Sequence, residues 1–348
     1  MNLELAWREC PYLNDLLGQP RALAQTIAGL EGEAGLEPFA GGAGDRRWRR
    51  VLLTGMGSSY WGCRPLYLRL LKAGHTPLMV ESSELIHYER EWLTPDTLVI
   101  AVSQSGRSVE IVRLLEAARG RCEIIGVTNT PDSPLALEST ATLPMHAGVE
   151  STVSCKTYLA TLLALDWLGD LLCGTDRAPL LVQARELMDP LDGYLKQWPA
   201  HVAELAPLLE GVENLFIVGR GSSVAAAETG GLIVKESIHM HAEGLSAAAF
   251  RHGPFEMLSA AVFVLVLEGD EISAPFSRKL VSDVRAAGAR AALVSTDGDG
   301  ALRLPASTER LRPLVEMLPV EMLTLALAAL KNREPGRFER ATKVTIVE

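Results

Sequence analysis

One sequence pattern occurs twice in this chain, and the repetition limits the possible folds more than any other feature. Segments 51–64 (VLLTGMGSSYWGCR) and 215–228 (LFIVGRGSSVAAAE) each place an apolar run before G-x-G-S-S and a helix-forming stretch. The correspondence continues between LVIAVSQSG (98–106) and FVLVLEGDE (263–271), and between IIGVTNTPDSPL (124–135) and AALVSTDGDGAL (291–302). Internal similarity at a nearly constant spacing indicates a duplicated structural unit.

Each copy alternates short apolar runs with helical stretches. The apolar runs end at Gly, Ser or Asp, and helices are predicted for stretches such as 107–119 and 275–288. This alternation is typical of a parallel sheet with crossover helices, and 348 residues exceed the usual size of one hydrophobic core. The sequence therefore predicts an α/β protein with two tandem doubly wound, flavodoxin-like domains. The predicted boundaries are a helical lead-in at 1–45, a first domain at 46–174, a helical connection at 175–200, a second domain at 201–335 and a C-terminal tail at 336–348.

The charge balance argues against nucleic acid as a partner. The chain has 33 basic and 43 acidic residues, a formal charge of −10, and this net charge repels a phosphate backbone. The densest basic run is RRWRR at 46–50, which is equally well explained as a solvated turn before the first strand.

The cysteines and the N-terminal segment predict a cytoplasmic location. Five cysteines are scattered without a C-x-x-C pair, which favours free thiols in a reducing compartment. The opening MNLELAWREC lacks the basic end and apolar run of a signal peptide, and no stretch approaches about 18 uninterrupted apolar residues.

Two loops of the first copy are candidates for binding a phosphate group. Ligands of open α/β sheets bind beyond the carboxyl ends of the strands, which here are followed by G-M-G-S-S and S-Q-S-G-R-S. Hydroxyls and free N–H groups at a strand-to-helix junction favour an anion. The alternative to phosphate binding is that these Ser and Gly residues only cap helices. The predicted phosphate-binding residues are Gly57, Ser58, Ser59, Ser103, Gln104, Ser105 and Ser108.

The second copy differs at the corresponding position, where LEGDE (267–271) replaces the serine cluster. Its carboxylates repel a phosphate, so one phosphate site per chain is expected, in the first copy. Neither G-x-G sequence continues as a dinucleotide or Walker motif, and no His, Cys, Asp or Glu spacing indicates a metal. No cofactor is expected.

These motifs resemble the SIS (sugar isomerase) family, and in particular the isomerase half of glutamine–fructose-6-phosphate amidotransferases. The likeness covers nearly the whole chain. It implies that the serine loop binds a sugar phosphate. GVESTVSCKTYLA (148–160) resembles the family's G-x-E-x-x-V-A-S-T-K-x-x motif, one residue shorter, and adds Ser154 and Lys156 as counterparts of the family's binding residues.

The resemblance also implies three catalytic residues. Glu236, in KESIHMHAE (235–243), corresponds to the base that moves a proton between C1 and C2. His252, in FRHGP, corresponds to the ring-opening histidine that the family takes from the neighbouring subunit, so a homodimer is implied. Lys343 corresponds to the tail lysine that forms a Schiff base with the open-chain ketose. Their chemistry suits these roles, although each residue alone is more often an ordinary surface or turn residue.

Two departures argue against the synthase reaction itself. The family commonly has lysine three residues before the catalytic Glu and glutamate three before the His, and here Ile233 and Ala249 stand there. No glutaminase segment or cysteine at position 2 accompanies the motifs. The expected activity is therefore an isomerase and deaminase that converts an aminohexose 6-phosphate to a ketohexose 6-phosphate and ammonia. Alternatives are a fructosamine-6-phosphate deglycase, a synthase-type isomerase using free ammonia, and, from another class, a sugar-phosphate sensor.

Overall fold

The computed structural model describes residues 9–44, 47–340, 342, 343 and 345. Arg46 of the basic run and five positions of the predicted tail, 341, 344 and 346–348, lie outside the described residues. The chain divides into two compact units, named here by their strands. The β1–β5 unit comprises Arg21–Glu150, Lys156–Arg185 and the described part of Arg340–Glu348. The β6–β9 unit comprises the described part of Met1–Pro20, Ser151–Cys155 and Glu186–Glu339.

The β1–β5 unit contains a parallel sheet of five strands in the order β2-β1-β3-β4-β5. This is the flavodoxin-like order, in which the ligand crevice lies between β1 and β3. Strand β3 is buried along its whole length, as expected for a parallel strand covered on both faces. The strands are β1 Arg50–Gly55, β2 Pro77–Glu81, β3 Thr97–Val102, β4 Glu123–Thr128 and β5 Ala141–Pro144.

The β6–β9 unit contains a second parallel sheet with four strands in the order β7-β6-β8-β9. Its first three strands pair as β1, β2 and β3 do in the other sheet. The two parallel sheets and their flanking helices confirm the predicted α/β class. The strands are β6 Asn214–Gly219, β7 Ala242–Ser246, β8 Val262–Leu267 and β9 Arg290–Val294.

The helices of the described residues follow the strands as crossover connections or lie in the segments outside the sheets. In chain order, those up to the second sheet are α1 Pro11–Leu17, α2 Gln19–Glu31, α3 Gly57–Trp61, α4 Arg64–Lys72, α5 Ser82–Tyr88, α6 Val109–Ala118, α7 Pro134–Glu138, α8 Lys156–Cys173, α9 Ala178–Glu186, α10 Met188–Lys196 and α11 Trp198–Leu209. The remaining helices are α12 Val224–Ile238, α13 Ala247–Arg251, α14 Ala274–Ala286, α15 Arg312–Val315 and α16 Met317–Leu330.

Strand register brings the two candidate phosphate loops to one edge of the first sheet. Thr54 pairs with Ala101, so β1 and β3 end side by side and both loops leave the sheet together. A Cβ at Gly55 would lie 2.9 Å from the carbonyl oxygen of Val102. The close approach of the two strand ends therefore requires glycine at this position.

Glycines also set the distance between α12 and β7 in the β6–β9 unit. A Cβ on Gly231 would lie 2.3 Å from the backbone nitrogen of Gly244, and a Cβ on Gly244 would lie 2.1 Å from the carbonyl oxygen of Ala227. The helix therefore packs backbone against backbone on the strand. These contacts hold the middle of α12 against β7, and Glu236 follows in the last turn of the same helix.

One stretch, Glu309–Leu330, is long and apolar enough by composition to cross a membrane. Its most apolar window is interrupted by Glu316 and Glu321, and 89% of that window is buried inside the protein. These properties are typical of a core helix, such as those that pack between other elements in large α/β proteins.

Candidate functional site

The G-M-G-S-S loop turns directly from β1 into α3. Met56 is extended and Gly57 has φ +53°, a conformation that favours glycine. Gly57, Ser58 and Ser59 open the short helix, and all three are partly exposed. The loop thus presents N–H groups and two hydroxyls at the edge that it shares with the loop after β3.

The serine loop after β3 is held by its own side chains. The Oγ of Ser103 accepts a hydrogen bond from the Gly106 N–H at 3.1 Å, and the Oγ of Ser105 accepts one from the Arg107 N–H at 3.3 Å. Ser103 is 8% exposed. These two hydroxyls therefore fix the curvature of the loop, and each keeps its own O–H available as a donor.

The carbonyl of Gln104 anchors the middle of the loop. It accepts hydrogen bonds from the Asn129 N–H at 3.1 Å and from the hydroxyls of Thr128 and Thr130, each at 3.2 Å. The anchor ties the loop to the end of β4 and leaves the Gln104 side chain partly exposed. Rigid anchoring of this kind preorganises a binding loop.

Gly106 permits the loop to pass close to the start of α7. Its φ is +59°, and a Cβ there would lie 2.2 Å from the Oγ of Ser133. Both the conformation and the contact exclude a side chain at this position.

Ser108 occupies the N-cap position of α6, but its side chain makes no capping hydrogen bond. Two other N-cap serines do cap their helices: Ser133 accepts from the Ala136 N–H at 3.3 Å, and Ser246 from the Ala249 N–H at 3.1 Å. Helix capping therefore does not account for the Ser108 hydroxyl.

The described tail residues lie against the same loop. The carbonyl of Thr345 accepts a hydrogen bond at 3.2 Å from the N–H of Val109, the residue that follows Ser108. Lys343 is partly buried, and its Nζ donates to the Glu150 carbonyl at 2.6 Å and lies 3.2 Å from Glu150 Oε2. The structure thus brings Lys343 together with the β1–β5 unit that holds the serine loop.

Glu150 is a residue of this region that the sequence reasoning did not select. Its side chain is fully buried and accepts two hydrogen bonds from Thr157, from the N–H at 3.0 Å and from the hydroxyl at 2.6 Å. The sequence does contain a signal for this residue, because Glu150 is the glutamate of the G-x-E motif. Its partner lies 193 positions away in the chain.

Ser154 and Lys156, the other predicted residues of this motif, fall in different units. Lys156 begins α8 in the β1–β5 unit, and its Nζ donates to the carbonyl of Val149. Ser154 belongs to the β6–β9 unit. Of these two residues, Lys156 contacts Val149, the neighbour of Glu150, within the β1–β5 unit.

A cavity of about 730 Å³ opens beside the serine loop within the β1–β5 unit. Its wall includes Gln104 and Glu150, so it reaches both the loop and the partner of Lys343. The volume falls in the range typical of small-molecule sites. The lining residues are Gln25, Ala28, Gly29, Gln104, Asn129, Thr130, His146, Gly148, Val149 and Glu150.

The other two predicted catalytic residues belong to the β6–β9 unit. Glu236 is partly buried in the last turn of α12, which ends where His239 adopts φ +53°. His252 is exposed at the end of α13, and its N–H donates to the Ala249 carbonyl at 2.9 Å. Of the two departures from the family, Ile233 is fully buried and Ala249 is exposed.

The loop after β8 is organised by carboxylates where the first sheet has serines. Glu268 pairs with Arg278 at 2.7 Å, and Asp270 Oδ1 accepts hydrogen bonds from the hydroxyl and N–H of Ser273 at 2.7 and 2.9 Å. Ser223, from the second G-S-S sequence, donates to Glu316 at 2.8 Å. These acceptor groups disfavour an anion at this position.

Two carboxyl groups of the β6–β9 unit have strongly raised pKa values that the sequence did not reveal. Complete burial raises the pKa of Glu316 to about 7, although the Ser223 hydrogen bond and Arg312 lower it in part. Burial also raises the pKa of Glu228 to about 7, with Lys235 lowering it and Glu243 raising it further. Desolvation of the charged form is the main cause in both.

Among the residues that the structure describes, no three His, Cys, Asp or Glu side chains are grouped so that they could hold a metal ion.

Comparison with known proteins identifies the part of the chain that carries the serine loop. Residues 46–169 match the SIS domain family. The match confirms the resemblance drawn from the G-S-S and S-Q-S-G motifs, and the matched segment includes all the predicted phosphate-binding residues.

The chain as a whole is similar to one class of curated protein. It is 29% identical over 351 residues to glutamine–fructose-6-phosphate aminotransferase (isomerizing) from Pyrococcus horikoshii. The match covers 97% of this chain and 57% of that relative, so the chain spans little more than half the length of the curated protein.

Two solved structures show the same fold. The C-terminal domain of glucosamine-fructose-6-phosphate aminotransferase from Francisella tularensis superposes with a TM-score of 0.84 at 20% identity, covering 94% of this chain and 98% of that one. Glucosamine-6-phosphate deaminase from Thermotoga maritima gives 0.74 at 16% identity, covering 97% and 100%. The structural likeness shows that this chain has the fold of these two proteins.

Proposed function

We propose that this chain is a sugar-phosphate isomerase that deaminates an aminohexose 6-phosphate to a ketohexose 6-phosphate and ammonia. The observation that carries the proposal is the serine loop with its attached tail. The Ser108 hydroxyl is not used for capping, and the adjacent Val109 N–H binds the tail that carries Lys343. A phosphate group and a carbonyl-reactive amine are thus served by one unit.

The phosphate end of the substrate is held by hydroxyls and backbone N–H groups rather than by cations. Ser59, Ser103, Ser105 and Ser108 supply hydroxyls, and the loop ends at the N-terminus of α6, a favourable place for an anion. The neutral donors suit a phosphate monoester that must be released after each turnover.

Three groups perform the chemistry in this proposal. His252 donates and accepts the proton that opens the sugar ring, since imidazole does both near neutral pH. Glu236 moves the proton between C1 and C2, for which a carboxylate is a suitable base. In the deaminating direction this proton transfer leaves an imine at C2. The Lys343 amine adds to that carbon and ammonia leaves, which gives the Schiff base, and water then hydrolyses the Schiff base to the ketose and frees the lysine.

The direction of the reaction is proposed from the two departures near the catalytic residues. Ile233 is fully buried where the family commonly has lysine, and Ala249 offers no carboxylate where it commonly has glutamate. Loss of both charges argues against a site that retains the synthase reaction. The likeness of fold to a glucosamine-6-phosphate deaminase is compatible with ammonia release.

The assembly belongs to the same proposal. We infer that the β6–β9 unit is a second SIS domain in tandem with the first, supported by the repeated sequence and strand order. We further infer a homodimer in which His252 serves the neighbouring subunit's site, supported by the exposure of His252 in the single chain. A cytoplasmic location fits the scattered free thiols.

The test is ammonia release from glucosamine 6-phosphate, with fructosamine 6-phosphate as a second substrate. Wild-type protein releases ammonia from the first, and Glu236→Gln loses about a hundredfold or more of the rate, as expected for removal of a general base. Activity that survives the substitution contradicts the role of Glu236. Release from fructosamine 6-phosphate alone identifies a deglycase instead.

A further inference from the structure

The buried carboxylate of Glu150 and the tail amine of Lys343 form a contact that has no role in the reaction steps proposed above. The amine lies 3.2 Å from Glu150 Oε2 and donates to the Glu150 carbonyl at 2.6 Å. Glu150 therefore accepts two hydrogen bonds from the Lys343 amine, one at its backbone carbonyl and one at its carboxylate. The carboxylate side chain is fully buried, whereas 24% of the lysine side chain is exposed.

Glu150 is itself held rigidly. Thr157 donates to Oε1 from its N–H at 3.0 Å and to Oε2 from its hydroxyl at 2.6 Å. Thr157 is the second residue of α8, an 18-residue helix whose N-terminus favours a negative charge. The carboxylate thus has a position that Thr157 fixes independently of the lysine.

The tail needs such a fixed partner. Close to Lys343, the tail also accepts a backbone hydrogen bond from the Val109 N–H at the Thr345 carbonyl, at the end of the serine loop. That contact sets the tail beside the loop but does not orient the Lys343 side chain. Glu150 also lines the cavity that contains Gln104, so the group that orients the amine borders the space next to the serine loop.

We propose that Glu150 is the positioning residue for Lys343, holding the tail amine at the cavity so that it meets the carbonyl of the bound ketose phosphate. This inference rests on the function proposed above. A buried, paired lysine loses less side-chain freedom when the substrate binds, so positioning raises the rate of Schiff-base formation. The competing explanation is that Glu150 only caps α8.

The substitution Glu150→Gln separates these explanations. The amide oxygen still accepts from the Thr157 N–H, but the negative charge beside Lys343 is lost. The main readout is reductive trapping of fructose 6-phosphate on Lys343 with borohydride, measured by peptide mass spectrometry. The trapping rate and kcat fall about tenfold or more while KM stays within about threefold. The matched control is Glu138→Gln, an exposed glutamate paired with Arg119, which leaves trapping unchanged.

A double substitution tests whether Glu150 acts through the lysine. In a Lys343→Ala background, adding Glu150→Gln causes no further loss of kcat, because the group being positioned is already absent. An additive loss overturns the proposal. The proposal is also overturned if Glu150→Gln traps the ketose at the wild-type rate and differs from wild type only in a lower unfolding temperature. That result leaves helix capping as the sole role of Glu150.

A third measurement keeps the inference separate from the proposed function. If wild-type protein neither traps nor turns over any phosphosugar, the proposed function fails, and the contact is tested by amine labelling alone. Acetic anhydride diffuses freely and needs no oriented amine, so in Glu150→Gln, where the carboxylate no longer holds the amine, Lys343 reacts with it several times faster than in wild type, measured relative to the exposed Lys72. Equal relative rates in the two proteins overturn the positioning role.

Discussion

Replacing Ser108 by alanine should separate ligand binding from stability, because its hydroxyl stands at an N-cap without capping the helix. In this structure the side chain makes no bond to the first N–H groups of α6, whereas the Ser133 hydroxyl accepts from the Ala136 N–H at 3.3 Å. Both residues lie in the same unit and at equivalent positions of their helices. Ser133→Ala is therefore a matched control for the stability effect.

The two substitutions should affect different quantities: Ser133→Ala lowers the free energy of unfolding, and Ser108→Ala lowers the affinity for the phosphosugar. Loss of a capping serine costs about 1 kcal/mol of unfolding free energy, so Ser133→Ala should lose about that amount. Ser108→Ala should lose less than about 0.5 kcal/mol, as for other substitutions that break no contact. A hydrogen bond to a charged group contributes about 1.5–3 kcal/mol, so Ser108→Ala should weaken phosphosugar binding about tenfold or more.

Two assays measure these quantities. Urea unfolding gives the free energy of unfolding, and calorimetric titration with glucosamine 6-phosphate gives the affinity, with glucosamine as the control that lacks a phosphate. Ser108→Ala should bind the phosphate ester weakly while remaining as stable as wild type. If it loses about 1 kcal/mol of stability and binds the ester as well as wild type does, the hydroxyl is only a cap and the reasoning is refuted.

Three further predictions concern the loop, a buried carboxyl group and the assembly. Gly106→Ala should lower the unfolding free energy by about 2 kcal/mol or more in urea, since φ is +59° and the Cβ would meet Ser133; unchanged stability contradicts this. The folded-state pKa of Glu316 is raised from 4.5 to about 7. The contribution of Glu316 to the free energy of unfolding is therefore present below about pH 4.5 and is lost as the pH rises through 7. The stability of Glu316→Gln relative to wild type should increase by about 3 kcal/mol between pH 4.5 and 8, and a parallel pH dependence in both proteins rules this out. An equimolar mixture of Glu236→Gln and His252→Ala chains should recover about a quarter of wild-type activity if each histidine serves the partner's site, because half of the dimers are then mixed and each mixed dimer has one intact site of two; no recovery places His252 in its own subunit's site.

The strands and loops of both units could be predicted from sequence because their determinants are local. Apolar runs that end at G-x-G-S-S or S-Q-S-G predict a buried parallel strand followed by a helix, and β1, β3 and β6 follow that pattern. Sheet class and the position of the serine loop at a strand end follow from the same runs.

Other features of the site depend on contacts that a linear pattern does not contain. Glu150 gains its significance from Lys343, which is distant in sequence, and Ser108 is distinguished from Ser133 only by side-chain geometry. The raised pKa of Glu316 comes from complete burial at the start of α16, where the sequence offers only a glutamate in an apolar helix. Burial and pairing are tertiary properties, and they decide the chemistry of these groups.

The most direct test of the central claim is hydrogen exchange between solvent and substrate. Proton transfer between C1 and C2 through Glu236 introduces deuterium into the sugar in D₂O whenever the carboxyl proton exchanges with solvent before it is returned, whichever amino-sugar phosphate is the natural substrate and whichever direction is favoured. Proton NMR of a panel of phosphorylated hexoses and hexosamines should show exchange at C1 or C2 with wild-type protein and none with Glu236→Gln. Tight binding of a phosphosugar without exchange at either carbon would contradict an isomerase and identify a sugar-phosphate sensor instead.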